Sequence, residues 1–338
     1  MLELKTLGSV RAFAGCQAAV EDHCLTGAAY QWWPNGTASR NRSNRMKRKS
    51  LSRVLPLLAA LMSVVVTALL TLPSFASAQS GPAQGPFGSG HQRPTIVLVH
   101  GAWADSSSWD ELIPILQNEG YTVDAPPNPL RGLTSDSAYL ASYLKNISGP
   151  IVLVGHSYGG AVITNAATGN PNVRALVYVD AFAPSAGETL EQLTFAKPGS
   201  CLAGGGNLSN VFNFGVDPSQ PAGDSDLYLK IPAGTDYAGF DSCFATDVPT
   251  QEADLLGVIQ RPLALGAFTT PSGTPAWTSI PSWAVIGTDD QAIPPAELTF
   301  MAQRAHSHIT YVKAGHLSMV TQPWTVASVI TQAAFAAS

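Results

Sequence analysis

Charge is scarce in this sequence of 338 residues: Asp, Glu, Lys and Arg make up 12% of it, against about 25% in an ordinary soluble domain. With 45% hydrophobic residues, that scarcity excludes a disordered or fibrous chain and fits one large globular domain or two small ones. Basic residues are scarcer still beyond the first stretch. Nine of the 18 Lys and Arg fall within residues 1–53; from residue 79 onward nine basic residues face 20 acidic ones, a net of −11. A folded part that acidic repels phosphate backbones, which excludes nucleic acid as a partner. Cysteine is limited to four positions, Cys16, Cys24, Cys201 and Cys243. No internal repeat stands out, which argues against a solenoid.

The early basic cluster has its own reading. "NRMKRKSLSR" precedes the apolar "VLPLLAALMSVVVTALLTL" (54–72) and then "PSFASAQS". A positive segment, an apolar segment and the small-x-small Ala76-Ser77-Ala78 predict a secretory signal peptide cleaved between Ala78 and Gln79. The mature protein is then expected to be secreted, with no stable membrane association. The competing reading is an uncleaved anchor, because 19 apolar residues at ~1.5 Å each nearly span a bilayer; Pro56 and the Ala-x-Ala site favour cleavage. Residues 1–45 show no clear period, which makes Met46 an alternative start. Residues 1–78 are therefore assigned to an N-terminal extension with signal peptide, 79–93 to a Gly, Pro and Ser-rich linker, and 94–338 to the folded domain. Cys201 and Cys243 remain after export, and an oxidising compartment predicts that they pair. Two separate buried thiols are the alternative.

Six short apolar runs follow the linker: "TIVLVHG", "TVDAPP", "PIVLVGHS", "VRALVYVDA", "SWAVIGTDD" and "HITYVKAG". Most lack alternation, as in strands buried on both faces of a parallel sheet. Helical patterns lie between and after them: "SSWDELIPILQNEG", opening with serine caps and closing on Gly120; "SDSAYLASYLKNI", with Tyr139, Leu140, Tyr143 and Leu144 on one face; "GGAVITNAAT"; "PPAELTFMAQRA"; and "TQPWTVASVITQAAFAA". Strand and helix alternate, so the fold class is α/β, a mostly parallel sheet of about six strands with flanking helices. The alternation breaks at about 185–279, a stretch holding both remaining cysteines and the helical piece "TQEADLLGVIQRPLALGAF". A stretch that long carries structure of its own, here an inserted cap.

Gly155-His156-Ser157-Tyr158-Gly159 matches G-x-S-x-G between a predicted strand and a predicted helix. A turn that tight needs residues without bulk two positions either side of the serine, and it lifts the serine oxygen clear of the backbone. The alternative is an ordinary glycine-rich loop. A serine hydroxyl needs a base, itself oriented by a carboxylate, both on later strand ends. Of the seven histidines, His23 and His91 precede the folded domain, His156 adjoins the serine, His100 precedes it, and His306 and His308 flank the wrong end of the last strand. His316 remains. For the acid, Asp290 in "VIGTDDQAIPP" is chosen over its neighbour Asp289, with Asp180 after "VYV" as the rival. Oxyanion donors are the Tyr158 amide and, from the loop "HGAWADSSSW", the Ala102 amide or the Trp103 amide, in a loop shaped by His100 and Gly101. Trp103 and Phe182 are either walls of a substrate pocket or plain packing. No Arg or Lys cluster adjoins these motifs, which disfavours a strongly anionic substrate.

"LVHGAW", "GHSYGG", "GTDDQAIP" and "KAGHLSMV", in this order, resemble the α/β-hydrolase superfamily over residues 94–338, and within it small-molecule esterases and hydroxynitrile lyases. The resemblance implies Ser157 as nucleophile, His316 as base, Asp290 as acid, Ala102 and Tyr158 as amide donors, and no metal or organic cofactor. It implies a hydrolase of carboxylic esters or lactones, with a cofactor-free lyase or a perhydrolase as the alternative. The family commonly begins with two further strands, and here only the linker precedes "TIVLVHG". Oligomeric state is unreadable.

Overall fold

The six apolar runs lie side by side as one sheet. The computed structural model describes residues 92–218, 224–230 and 239–338. The expected signal peptide, most of the linker, Cys16 and Cys24 lie outside the described residues. The strands are β1 (Thr95–Val99), β2 (Thr122–Asp124), β3 (Ile151–His156), β4 (Val173–Val179), β5 (Phe212–Gly215), β6 (Asp226–Leu229), β7 (Leu263–Ala264), β8 (Ser282–Gly287) and β9 (His308–Val312). Six form a parallel sheet in the order β2-β1-β3-β4-β8-β9. The inner strands β3 and β8 are buried at every position, whereas β2 and β9 at the edges are partly exposed. Burial on both faces is what the unbroken apolar runs require.

The helices are α1 (Ile113–Asn118), α2 (Leu133–Leu144), α3 (Tyr158–Ala166), α4 (Leu190–Phe195), α5 (Thr250–Ile259), α6 (Leu265–Thr269), α7 (Pro295–Arg304), α8 (Ser318–Thr321) and α9 (Pro323–Ala336). All sheet strands point the same way, so the loops that follow β1, β3, β4, β8 and β9 emerge along one edge. Between β1 and β3 the strand order reverses, and loops leaving that point diverge to open a crevice. Among the described residues no helix is long and apolar enough to cross a membrane.

Three helices differ from the sequence expectation, each at a proline. "SSWDELIPILQNEG" splits into a 3-10 turn (Ser106–Trp109) and α1, and the cap is Asp105, not a serine: its side chain accepts from Ser107 N at 2.8 Å. Pro114 has no N–H, so it sits in the first turn of a new helix. "TQEADLLGVIQRPLALGAF" is two helices, because Pro262 disfavours helical geometry at Arg261 and frees Leu263–Ala264 to pair with β6. The last helix is broken before Pro323, which starts α9. In α2, Leu140 and Leu144 are buried whereas Tyr139 is exposed.

Between β4 and β8 stand α4, the antiparallel sheet β5-β6-β7, α5 and α6. Cys201 and Cys243 are bonded, with Cα atoms 5.7 Å apart. The insertion is tied to the sheet's loops by long-range bonds. Cys201 N and Ser200 Oγ donate to Gln291 O and Ala292 O (2.8 and 2.7 Å), and Trp103 Nε1 donates to Leu227 O (2.9 Å).

Candidate active site

Ser157 stands where β3 turns into α3, with φ 50° and ψ −121°, a region L-residues rarely adopt. Neighbouring strands hold it there: Ser157 N donates to Val179 O at 3.3 Å, and Ser157 O accepts from Phe182 N at 3.2 Å. The flanking glycines meet the predicted need for space. A Cβ on Gly155 would lie 2.6 Å from Gly159 O, and one on Gly159 would run into Val99 O. Ser157 Oγ hydrogen-bonds to no group among the described residues.

His316 Nδ1 donates to Asp290 Oδ2 at 2.7 Å, in a pair that is almost wholly buried. Asp290 Oδ1 accepts from Ala292 N (2.8 Å) and Ile293 N (3.0 Å), which fixes the carboxylate. Because Nδ1 carries the proton in this pairing, Nε2 is left as the acceptor. Burial pulls the imidazole down to about 3, against an opposing push from Asp247, so His316 is neutral at pH 7. Burial also raises the Asp290 carboxyl, opposed by the Ile293 and Ala292 amides. His156 Nε2 donates to His316 O at 2.9 Å, fastening the histidine loop from below. Asp289 is exposed.

Asp180, the rival acid, is fully buried but does not bond to His316. Its Oδ1 accepts from Gly287 N at 2.6 Å, and its Oδ2 from Ser318 N at 3.4 Å and from Ser318 Oγ.

The loop after β1 closes over the serine. A Cβ on Gly101 would stand 2.7 Å from Ser157 Cβ, so Ala102 follows immediately beside the nucleophile. Tyr158 is the first residue of α3, where amides have no intrahelical acceptor. Neither the Ala102 nor the Tyr158 amide donates to another group among the described residues. His100 sets the loop's shape: Nδ1 donates to Gly101 O and Nε2 accepts from Asn128 N, both at 2.9 Å. Burial pulls this histidine down to about 4, so it is neutral at pH 7. Asn128 Nδ2 donates back to His100 O at 3.0 Å; nothing in the sequence marked Asn128. The Tyr158 side chain donates to Asp136 Oδ2 at 2.7 Å, fixing the start of α3 against α2.

Ser157, His316, Ala102 and Tyr158 line one narrow cavity. Trp103 and Phe182 line it as well, so both sequence-predicted aromatics are walls of this space. The insertion supplies Leu190, Leu202, Leu263 and Phe268. Leucine and phenylalanine in a region without readable periodicity gave no signal for these four. Apart from the serine, histidine and Tyr158, whose hydroxyl is spent on Asp136, the lining is apolar. Trp103, at φ 54°, also borders a second, mostly apolar pocket with Phe240, Phe244 and Leu256.

Curated relatives include a carbendazim hydrolyzing esterase of Nocardioides sp. (strain SG-4G), 36% identical over 111 residues, and a pyrethroid hydrolase of Sphingobium wenxiniae, 36% identical over 118. These matches cover 29% and 31% of this chain and 46% and 41% of those proteins, so the chain spans less than half the length of either. An alpha/beta hydrolase of Aspergillus novofumigatus is 27% identical over 72% of this chain and 97% of its own. Among solved structures, polyneuridine aldehyde esterase superposes with a TM-score of 0.57 at 20% identity, covering 71% of this chain and 99% of that one. A pyrethroid hydrolase from Sphingobium faniae gives 0.53 at 21% identity, covering 72% and 97%; at these identities the likeness speaks for the fold. The family profile described as "Alpha/beta hydrolase family" matches residues 96–327, and the chain belongs to that family.

Proposed function

We propose that this protein hydrolyses carboxylic esters of small to medium apolar molecules, lactones among them, through a serine acyl-enzyme. The observation that carries the reading is that His316, bonded to Asp290 at 2.7 Å, lines the same apolar cavity as Ser157. Ser157 Oγ attacks the acyl carbon while His316 Nε2 takes its proton. Asp290 holds the imidazole and stabilises the imidazolium that forms. The Ala102 and Tyr158 amides receive the developing oxyanion. Collapse expels the alcohol, which leaves with the proton from His316; a water, deprotonated by His316, then attacks the acyl carbon and Ser157 leaves reprotonated.

No Lys or Arg lines the cavity among the described residues, which favours uncharged substrates. The relatives named as esterase and pyrethroid hydrolase point the same way. A lyase on this scaffold would call for a lysine or threonine beside the serine, and neither lines the cavity among the described residues. Export is part of the proposal, supported by the signal-like segment at 46–78 and by the Cys201–Cys243 bond, which persists in oxidising compartments. Incubation of residues 79–338 with p-nitrophenyl esters of graded chain length, with and without a serine-reactive phosphonate, tests it. Hydrolysis abolished by the phosphonate is expected; phosphonate labelling without ester turnover would favour the lyase or perhydrolase reading, and no labelling would sink the catalytic one.

A further inference from the structure

Asp180 is a buried carboxylate that the proposed reaction does not use. It closes β4 at φ 45°, a conformation that asparagine and aspartate tolerate better than most residues, and its own amide donates to Val285 O at 3.0 Å. Its two oxygens reach in different directions. Oδ1 takes the amide of Gly287, the last residue of β8 and three residues before Asp290. Oδ2 takes the amide and hydroxyl of Ser318, two residues after His316 and the first of α8. The acid loop and the histidine loop thus hang from one side chain, each held close to the residue it presents.

We infer that Asp180 is a positioning residue that sets the distance and angle between Asp290 and His316 by clamping Gly287 and Ser318. The inference rests on the proposal that His316 and Asp290 serve Ser157. Three features of the fold make the clamp necessary. Gly287 and Ser318 lie at the ends of different elements, β8 and α8, and the loops between them and the site residues are irregular. The first oxygen meets its amide at 2.6 Å in a fully buried setting, where leaving the amide unpaired would carry its full desolvation cost, so the bond is not readily exchanged for another. His156 secures the other side of the histidine loop through His316 O, the Asp289 amide ties the two loops through Ala314 O at 3.0 Å and Thr321 Oγ1 anchors the end of α8 on Asp247, which leaves the amide and hydroxyl of Ser318 to Asp180. Holding a carboxylate here has a cost: burial, then the Asp290 charge, pushes the Asp180 carboxyl up. Two carboxylates this close are retained at a penalty, and the clamp gives the second one a job distinct from that of the acid.

Three substitutions and two readouts test the clamp. Asp180→Ala removes both arms, Asp180→Asn keeps the Gly287 arm and offers an NH₂ to the Ser318 hydroxyl while giving up the longer bond from the Ser318 amide, and Ser318→Ala removes the hydroxyl bond and keeps the amide bond to Asp180. A misplacement of the reacting groups by about 1 Å costs on the order of 10²-fold in rate; kcat is therefore expected to fall about 10²-fold in Asp180→Ala, with KM changed less than about threefold. Asp180→Asn should recover at least about tenfold of that loss, and Ser318→Ala should lie between wild type and Asp180→Ala. The second readout needs no turnover: the downfield proton NMR signal of the His316 Nδ1–H bonded to Asp290, present in wild type, should be retained in Asp180→Asn and broadened or lost in Asp180→Ala. Folded Asp180→Ala with wild-type kcat and an intact signal would overturn the inference. So would Asp180→Asn as inactive as Asp290→Ala, since that outcome makes the charge of Asp180, and not its two hydrogen-bonded arms, the requirement. If Asp180→Ala does not fold, Ser318→Ala decides: wild-type kcat and an unshifted signal contradict the clamp. Failure of the esterase reading is separable, because wild type would then show no reaction with a serine-directed phosphonate whatever the NMR signal does.

Discussion

The sheet edge that carries Ser157, Asp290 and His316 and the insertion that covers them are built by opposite means. Ser157 and Asp290 follow strands buried at every position, and His316 follows the partly exposed edge strand β9, whose loop is pinned from outside by His156 and Asp180. Each site residue is then held in place: Asp290 by its two amides, His316 by its carboxylate and the bond from His156 to its carbonyl, Ser157 through its backbone. The insertion has short elements, including a two-residue strand and 3-10 turns, and several apolar side chains exposed to solvent, among them Phe214, Leu255 and Val258. It depends on cross-links: one disulfide and a few long-range bonds to the edge. The difference teaches that chemistry needs sub-ångström preorganisation, whereas a cap needs only to present apolar walls and exclude water.

The largest expected effect separates the two regions most sharply. Ser157→Ala should lower kcat by roughly 10⁴-fold or more with an unchanged melting temperature, measured with p-nitrophenyl acetate and by calorimetry. A loss of stability instead would make Ser157 a structural residue of the elbow. Cys201→Ser with Cys243→Ser removes the cross-link of the insertion, closed over a sequence separation of 42. It should cost about 2–4 kcal/mol in denaturant unfolding and raise KM for long-chain esters more than it lowers kcat for acetate. A larger fall in kcat would place the insertion within the catalytic frame, through the bonds of Ser200 and Cys201 to the acid loop. Gly159→Ala attacks the edge from within, because its Cβ would meet Val99 O; overpacking there should destabilise by roughly 1–3 kcal/mol and reduce kcat as the elbow shifts. An equivalent substitution at Gly205, where a Cβ meets nothing within 4 Å but φ is 66°, should cost backbone strain in the insertion and leave kcat unaltered.

The smallest effect concerns pH. His316 must be neutral to accept the Ser157 proton, and its folded value is pulled down from 6.5 to about 3. Acidification therefore removes the base only below the ordinary imidazole range, and the acidic limb of kcat/KM should fall below pH 6.5. A limb at or above 6.5 would mean that the imidazole is better solvated, or better paired as a cation, than the edge geometry implies.

The edge was legible in the sequence for a physical reason: buried parallel strands leave unbroken apolar runs, and the elbow leaves glycines at fixed offsets from Ser157. His316 followed from its place after the last strand. Choosing between Asp290 and Asp180 was harder, because both follow a strand and both are buried; only the direction of each carboxyl distinguishes them. The same blindness to direction hid the His100–Asn128 pairing and the clamp by Asp180. The insertion was illegible beyond its existence. β7 is two residues long, and Trp103 finds its acceptor on Leu227, 124 positions away, so pairing there has no local pattern. One break carried a signal that the reading of "TQEADLLGVIQRPLALGAF" as a single helical piece passed over: Pro262 disfavours helical geometry at the residue before it, and α5 ends at Ile259.

The central claim is that Ser157 becomes acylated. Acid quenching during steady-state turnover of a p-nitrophenyl ester, followed by peptide mass spectrometry, tests it directly. The account predicts the acyl mass on the peptide carrying Ser157 and none in Ser157→Ala; ester turnover with no acyl adduct, or with one on another residue, would contradict it.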